Sequence, residues 1–178
     1  MKRLTLALTL FAAPLAAQDN PTLVLNTSEG AVRIELLPEV APQHVERITT
    51  LAEQGAYDGV AFHRVIEGFM AQTGDVGCGT VDATCPAGTG GSDLPDLPAE
   101  FSDISYEVGV VGMARTADPN SANSQFFIMT EAAPHLNGQY TVVGRVLDGM
   151  DAVNALEKGA GQSGAVANPD RIESASVE

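Results

Sequence analysis

Short apolar runs that end at turn residues are the sequence feature that most restricts the fold of this chain. Residues 22–27 run into a turn at 28–30, and residues 31–37 return with Val32, Ile34 and Leu36 on one face. Alternation with a period of two is typical of β-strands, so this pair predicts a hairpin. Further runs of the same kind cover residues 62–66, 101–111, 125–129, 140–146 and 171–177. About eight short strands in one chain indicate an all-β fold.

Two stretches have helical spacing instead. Val45, Ile48 and Leu51 recur every three or four residues after Pro42, which suits a first helical turn. His44 falls on the polar side of this helix. A second short helix is expected over residues 150–156. Together these elements predict an all-β fold class, a closed eight-stranded antiparallel β-barrel capped by two short α-helices, in a single domain over residues 18–178.

The first 17 residues have the pattern of a cleavable signal peptide. Lys2 and Arg3 form a basic start, an apolar run follows over residues 4–15, and Ala16 and Ala17 are small enough for cleavage. The run is too short to span a bilayer as a helix, and no cysteine follows it as a lipid-anchor signal. A buried N-terminal helix is the alternative. We therefore expect an exported, periplasmic protein without a membrane anchor.

The charge of the chain argues against two classes of partner. It has 23 acidic and 9 basic residues, a formal net charge of −14, and loss of Lys2 and Arg3 would give −14 − 2 = −16. Such a surface repels phosphate backbones and anionic lipid headgroups. We therefore expect no binding to nucleic acid or to membrane surfaces.

The chain has two cysteines, Cys78 and Cys85, inside a stretch over residues 76–99 that lacks strand or helix patterns. In an exported protein such a close pair is best explained by a disulfide, which would stabilise the fold by roughly 2–3 kcal/mol. Metal binding is the alternative, but two thiols without a nearby histidine do not complete a zinc site. We expect a disulfide, no metal and no cofactor. A stretch this long is either a structured functional loop or a flexible one.

A first motif, FHRVIEGFMAQTGD over residues 62–75, combines one cation with apolar residues. The period of a strand places Arg64 on an apolar face with Phe62 and Ile66. A guanidinium keeps its charge and needs acceptors, so this placement indicates a site. Gly68 then redirects the chain. The residues that it brings to the edge of this face are Phe69, Met70 and Gln72.

A second motif, MARTADPNSANSQFFIMT over residues 113–130, places Gln125, Phe127 and Met129 on one face of a strand. Phe126 faces the other way, so one aromatic ring can fill a core while its neighbour joins Gln125 at a site. Taken together, the two motifs resemble the cyclophilins, the peptidyl-prolyl cis-trans isomerases, and the resemblance runs from about Pro21 to the C-terminus. It implies the capped barrel and a prolyl isomerase activity.

The resemblance implies that Arg64 is the catalytic residue. Prolyl isomerisation needs no nucleophile, because its barrier of about 18–20 kcal/mol comes from the partial double bond of the peptide linkage. A hydrogen-bond donor on the prolyl nitrogen lone pair removes that conjugation, and a fixed guanidinium is a good donor. Gln72 and Gln125 would orient Arg64 and the substrate carbonyl. No motif for a hydrolytic triad or a zinc protease competes with this interpretation.

The resemblance also implies a substrate site around the proline. Its apolar cup would be formed by Phe69, Met70, Phe127 and Leu136. The backbone of Ala114 and Arg115 would contact the residue before proline. His135 stands where the better-known eukaryotic relatives have tryptophan, and Tyr140 stands where a histidine often lines the pocket. Because the indole donor and its area are missing, we expect cyclosporin-type macrocycles to bind weakly.

The expected partners are proline-containing unfolded or nascent exported polypeptides, and the protein is expected to be a monomer. The alternative function is a periplasmic peptide-binding chaperone or assembly factor whose isomerase activity is incidental. Substitution of Arg64 by alanine would separate the two. His63 faces opposite to Arg64 and is expected to be packed rather than catalytic, because no carboxylate partner or nucleophile accompanies it.

Overall fold

The computed structural model describes residues 20–178, so the predicted signal peptide lies outside the described residues. Eight strands, two α-helices and one 3₁₀-helix make up the regular structure of that part of the chain. In chain order they are β1 (Thr22–Thr27), β2 (Gly30–Leu36), α1 (Pro42–Glu53), β3 (Arg64–Ile66), β4 (Met70–Thr73), β5 (Val110–Met113), β6 (Phe126–Met129), the 3₁₀-helix (Pro134–Leu136), β7 (Val142–Asp148), α2 (Met150–Ala155) and β8 (Ile172–Val177). The predicted all-β class with two short helices is confirmed.

The strands form one antiparallel sheet in the order β3-β4-β6-β5-β7-β2-β1-β8. The predicted closed barrel is wrong, because no ladder joins the two outer strands and the sheet is an open half-barrel. The segment before β3 meets the start of β8 through an isolated bridge between Ala61 and Arg171 and a few backbone hydrogen bonds, among them Phe62 N to Asp170 O at 2.8 Å and Ile172 N to Val60 O at 2.9 Å. The outer edge of β3 is instead occupied by the loop of residues 159–166, since Val65 N donates to Gly164 O at 2.8 Å and Val166 N donates to His63 O at 3.1 Å.

Apolar residues pack into two clusters. The interior cluster lies between the sheet and α1 and includes Ile34, Ile48, Phe62, Phe126 and Ile128. The site-side cluster is formed by Met70, Tyr106, Val110, Phe127, Met129, Ala133, Leu136 and Val142. Alternate residues of β6 enter different clusters, as the period of a strand requires. The prediction that Phe126 and Phe127 serve different sides of one strand is confirmed.

Helix α1 follows its predicted pattern, with Pro42 in the first turn and Val45, Ile48 and Leu51 buried. The prediction for His44 is wrong, since this residue is fully buried. Its Nδ1 atom lies 2.7 Å from a carboxylate oxygen of Glu100, which also accepts the backbone N–H of His44. A carboxylate at the start of a helix is favourable, and here it comes from a distant loop that the helical pattern could not reveal.

Two further strand predictions need correction. Residues 101–109 are irregular, and Phe101 is exposed, so only the end of the predicted run forms β5. Phe62 does not share a face with Arg64 and Ile66. It precedes β3 and packs in the interior cluster, whereas Ile66 packs against the site-side cluster. No helix in residues 20–178 is both long enough and apolar enough to cross a membrane.

Candidate active site

The hairpin of β3 and β4 places the first motif. Arg64 pairs with Gln72 and Ile66 with Met70 across the two strands, so these side chains share one face. The turn between them contains Gly68 at a φ of +67°, a conformation that glycine adopts without strain. The turn leaves Phe69 next to Met70 at the edge of that face. The predicted redirection of the chain at Gly68 is confirmed.

The guanidinium of Arg64 is held from two sides. Its Nε donates to the carbonyl oxygen of Ser163 at 2.9 Å, and its Nη1 donates to Oε1 of Gln72 at 3.3 Å. Nη1 also lies 3.9 Å from the sulfur of Met70. Within residues 20–178 the Nη2 atom has no acceptor. The arginine is therefore fixed in direction while part of its donor capacity stays available.

The carbonyl that fixes Arg64 belongs to a loop near the C-terminus. This loop is attached to β3 by the backbone, since Val65 N donates to Gly164 O at 2.8 Å and Gly159 N donates to Val65 O at 2.9 Å. Gly164 has a φ of +66° and packs against the side chain of Ile66, where a Cβ would clash. Sequence reasoning missed this loop, because a backbone acceptor has no residue-type signal.

An amide relay continues from Arg64 into the second motif. Nε2 of Gln72 donates to Oε1 of Gln125 at 3.0 Å, and Nε2 of Gln125 donates to the carbonyl oxygen of Gly90 at 2.8 Å. The two predicted glutamines are thus in contact with each other, and one of them contacts Arg64. Each amide has one defined orientation because its partner can only donate or only accept at that point.

Beside Arg64 lies an open hollow of about 350 Å³, here called the apolar hollow. Its lining brings together ten residues that the sequence placed at the site: Arg64, Phe69, Met70, Gln72, Ala114, Arg115, Phe127, His135, Leu136 and Tyr140. Gln125 is the predicted site residue outside this lining, and it lies in the adjoining hollow. The structure therefore places all of them around one depression, and their roles stay predictions.

Aromatic contacts shape the walls of the apolar hollow. Phe69 stacks on His135 with ring centroids 5.9 Å apart, and the short 3₁₀-helix supplies His135 and Leu136. Phe127 meets Tyr140 edge to face at 5.8 Å and stacks on Tyr106 at 5.8 Å from its other side. Such pairs restrict the rings to one arrangement, so the hollow is preformed.

A smaller hollow of about 160 Å³, here called the polar hollow, adjoins the first and shares Gln72, Ala114 and Arg115 with it. Sequence reasoning assigned no role to the residues that complete its lining, which are Gly88, Thr89, Gly90, Thr116, Ser121 and Asn123. They come from two turn-rich segments that are distant in sequence. The high proportion of small polar residues in both segments is the sequence feature that could have indicated this hollow.

The stretch after β4 is structured around one buried carboxylate. Asp75 is fully buried and accepts backbone N–H bonds from Cys78 at 2.8 Å, Gly88 at 2.7 Å and Gly90 at 3.0 Å. These donors lie on both sides of the disulfide between Cys78 and Cys85, which is present as predicted. Asp75 belongs to the first motif, but no role was assigned to it. This part of the stretch thus has defined contacts with the core, as the alternative of a structured loop implies.

His63 is buried beside the site, and both of its ring nitrogens lack a hydrogen-bond partner in the described part of the chain. Burial lowers the pKa of its imidazole, and the nearby Asp75 carboxylate opposes that shift only in part. A neutral histidine without a partner does not form an acid–base pair with Arg64. The expectation of a packed His63 agrees with this environment.

Comparisons with known proteins show the family of this chain. The family described as cyclophilin type peptidyl-prolyl cis-trans isomerase/CLD matches residues 22–177. A probable peptidyl-prolyl cis-trans isomerase of Brucella suis is 57% identical over 167 residues, which cover 92% of this chain and 85% of that protein. Peptidyl-prolyl cis-trans isomerase-like 3 of Gallus gallus is 39% identical over 142 residues, 76% of this chain and 81% of that protein.

Two crystal structures share the fold. A cyclophilin from Hirschia baltica superposes with a TM-score of 0.74 at 31% identity, covering 88% of this chain and 73% of the other. A cyclophilin type peptidyl-prolyl cis-trans isomerase of Cryptosporidium parvum, crystallised in the presence of the dipeptide Ala-Pro, gives 0.78 at 27% identity, covering 88% and 98%. This chain belongs to the cyclophilin-type peptidyl-prolyl cis-trans isomerases.

Proposed function

We propose that this enzyme isomerises prolyl bonds in exported polypeptides and thereby assists their folding, with Arg64 as the catalytic donor. The reaction class follows from the family, while the clients and the residue roles are the proposal. The observation that carries it is the position of Arg64, a cation fixed by Ser163 and Gln72 at the rim of a preformed apolar hollow.

The proposed mechanism uses this geometry directly. With the proline ring in the apolar hollow, the free N–H groups of Arg64 donate to the prolyl nitrogen as its lone pair leaves conjugation. Each 1.36 kcal/mol gained in that twisted state is about a tenfold increase in rate. Phe127, Leu136 and the stacked Phe69 exclude water from the bond, which strengthens the donor. No proton needs to leave the enzyme at any step.

The amide relay of Gln72 and Gln125 would hold the guanidinium of Arg64 in a fixed position relative to the substrate. Gln72 accepts from Arg64 and donates to Gln125, so neither glutamine can rotate without breaking a contact. Ala114 and Arg115 lie along the same rim. The N–H of Ala114 already donates to the carbonyl oxygen of Gln125 at 2.9 Å, so the carbonyl of Ala114 and the backbone of Arg115 would pair with the residue before proline. The Ala-Pro dipeptide named for the Cryptosporidium parvum protein is small enough to serve as a minimal probe of this arrangement.

Two observations support exported clients. The first 17 residues have the composition of a signal peptide, and the disulfide between Cys78 and Cys85 is typical of an oxidising compartment. A test is fractionation of cells that express the full chain with a C-terminal tag. We expect a shortened protein in the periplasmic fraction, and an uncleaved protein in the cytosol would contradict the proposal.

The test of the catalytic role is the variant Arg64→Ala in a proline-limited refolding assay. We expect the rate enhancement to fall by about 100-fold or more, as is typical when one transition-state donor is removed. The matched control is Arg145→Ala, since Arg145 is an exposed strand residue that lines neither hollow. Its activity should stay within about twofold of the unmodified enzyme.

Peptide binding, measured by calorimetry on the same variants, separates the two functions. If Arg64→Ala still binds a proline peptide and has lost catalysis, the enzymatic role is supported. If the unmodified protein binds unfolded chains and does not accelerate isomerisation, the chaperone function replaces it.

A further inference from the structure

The substrate groove, meaning the apolar and polar hollows together, has a charge opposite to that of the protein. Neither lining contains Asp, Glu or Lys, and its permanently charged side chains are Arg64 and Arg115. The whole chain has 23 acidic residues against 9 basic ones. The lining side chains of the groove therefore carry two positive charges on an acidic molecule, with the Asp75 carboxylate buried behind the backbone of Gly88 and Gly90. Side chains of this charge favour an anionic group in whatever contacts them directly.

The guanidinium of Arg115 is fixed without a counter-ion. Its Nη2 donates to the carbonyl oxygen of Gln139 at 2.9 Å and its Nη1 to that of Thr116 at 2.8 Å. Its Cζ lies 4.3 Å from the centroid of the Tyr140 ring, a cation–π contact. All these partners are neutral, and Arg115 belongs to none of the three ion pairs found in residues 20–178.

A fixed and uncompensated guanidinium is well suited to bind a carboxylate. The carbonyl oxygens of Gln139, Thr116 and Ala117 accept four of its five N–H bonds, so a carboxylate would meet the remaining N–H on Nη2 and the uncompensated positive charge. Little side-chain entropy remains to be lost, because the neutral contacts already hold the guanidinium. The ring of Tyr140 covers one face of the guanidinium, so a ligand approaches along its edge or from the groove. Arg64 does not compete for this role, since in the proposed function its free donors act on the prolyl nitrogen.

The place of Arg115 in the groove indicates which substrate residue it meets. It lines both hollows, together with Gln72 and Ala114. With proline in the apolar hollow and the preceding residue along Ala114, the side chain two positions before proline reaches Arg115 at the mouth of the polar hollow. We propose that Arg115 selects substrates with an acidic side chain at that position, a specificity that rests on the proposed function.

The test must separate this local effect from the overall charge, because an acidic protein repels every acidic peptide at long range. Two peptides of identical composition achieve this. Both have alanine before proline; one carries Glu two positions before and Lys two positions after, and the other has these two residues exchanged. For each, the enzymatic rate constant kcat/KM is measured by NMR exchange and divided by the uncatalysed rate.

We expect the peptide with Glu ahead of proline to be preferred by about threefold at low salt, in the range of an exposed ion pair, and the preference to shrink in about 0.5 M NaCl. Arg115→Gln should abolish the preference, and Arg115→Lys should keep part of it. The control Arg145→Gln makes the same change of net charge outside the groove and should leave the preference intact.

The outcomes are distinct. A ratio near one in an active unmodified enzyme, or a ratio that survives Arg115→Gln, would overturn the role of Arg115 and leave the isomerase function untouched. Failure to accelerate either peptide would overturn the proposed function itself.

Discussion

The two apolar clusters share strand β6 and differ in what lies behind them. On the interior side Phe126 and Ile128 meet α1 and the inner faces of the other strands, with no exposed surface. On the other side Phe127 meets Tyr106 and Tyr140 and then opens to the apolar hollow. Neighbouring residues of one strand therefore face different surroundings, the interior side serving stability and the open side, in the proposed function, substrate binding.

The two clusters also differ in whether the hydroxyl of their buried tyrosine is hydrogen-bonded. Burial raises the pKa of both Tyr57 and Tyr106, so both phenols stay protonated at all ordinary pH values. In the interior cluster Tyr57 donates to the carbonyl oxygen of Ser124 at 3.0 Å. In the site-side cluster the hydroxyl of Tyr106 has no partner among the described residues. The tyrosine hydroxyl of the interior cluster is therefore hydrogen-bonded, whereas that of the site-side cluster has no partner among the described residues.

The largest expected effect comes from truncating the two phenylalanines. Phe126→Ala should lower the free energy of unfolding by about 3–5 kcal/mol, because the closed interior cannot fill the cavity. Phe127→Ala should lower it by less, since solvent already reaches that side, yet it should reduce kcat/KM for a proline peptide about tenfold or more. Urea unfolding and the isomerase assay on both variants test this. Equal stability losses would remove the distinction between the clusters.

The next largest effect concerns Gly112 of β5, which packs against Tyr106 and Phe127 of the site-side cluster. A Cβ at position 112 would meet the hydroxyl of Tyr106 and lie 2.7 Å from Cζ of Phe127. Gly112→Ala should therefore destabilise the protein by about 1–3 kcal/mol through overpacking. Cε1 of Tyr106 would lie 2.8 Å away as well, so Tyr106→Phe removes one of three clashing atoms, and the double variant should lose less than the sum of the single losses. Strict additivity in urea unfolding would contradict this packing.

A smaller effect is expected when each buried tyrosine loses its hydroxyl. Tyr57→Phe should lower the free energy of unfolding by about 1 kcal/mol, the net value of one buried hydrogen bond. Tyr106→Phe should leave it unchanged or raise it, because no bond is lost and a buried polar atom disappears. Since the chemical change is identical, the difference between the two variants measures the difference between the clusters. A loss of equal size in both would be the contrary result.

The smallest effect is a pH dependence at His63, which stands in sequence between Phe62 of the interior cluster and Arg64 of the site. Burial lowers the pKa of its imidazole below the ordinary value of 6.5, so the unfolded chain binds the proton more readily than the folded one. Stability contributed by this group is complete above pH 6.5 and is lost as the pH falls toward the lowered folded value. Urea unfolding at pH 7.5 and 5.5 should show this decline, and His63→Gln should reduce it. An unchanged slope in that variant would assign the decline to other groups.

Much of this architecture could be predicted from local patterns. The alternation in residues 31–37 and 125–129 and the spacing of Val45, Ile48 and Leu51 each express a face that must be buried, and the structure buries them. Barrel closure was predicted wrongly because it depends on two outer strands that are more than a hundred residues apart along the chain. No local pattern reports whether such distant edges pair.

The candidate site also divides into features that the sequence predicts and features that it does not. The side chains that line the apolar hollow could be predicted, because the resemblance is carried by residue types at fixed spacing. The backbone carbonyl of Ser163, the buried carboxylate of Asp75 and the polar hollow were missed. Each of these acts through main-chain groups or through loops that meet only in the folded protein, so residue type alone gives little information about them.

The disulfide loop also offers a place to extend the molecule. Cys78 and Cys85 hold their Cα atoms 5.3 Å apart, and the exposed residues between them include Val81 and Asp82. A foreign peptide inserted between Thr80 and Thr84 would begin and end at this covalent clamp, while Asp75 continues to anchor the flanking backbone. An epitope or a fluorescent reporter could thus be displayed there, because the disulfide and the Asp75 contacts would hold both ends of the insertion in place.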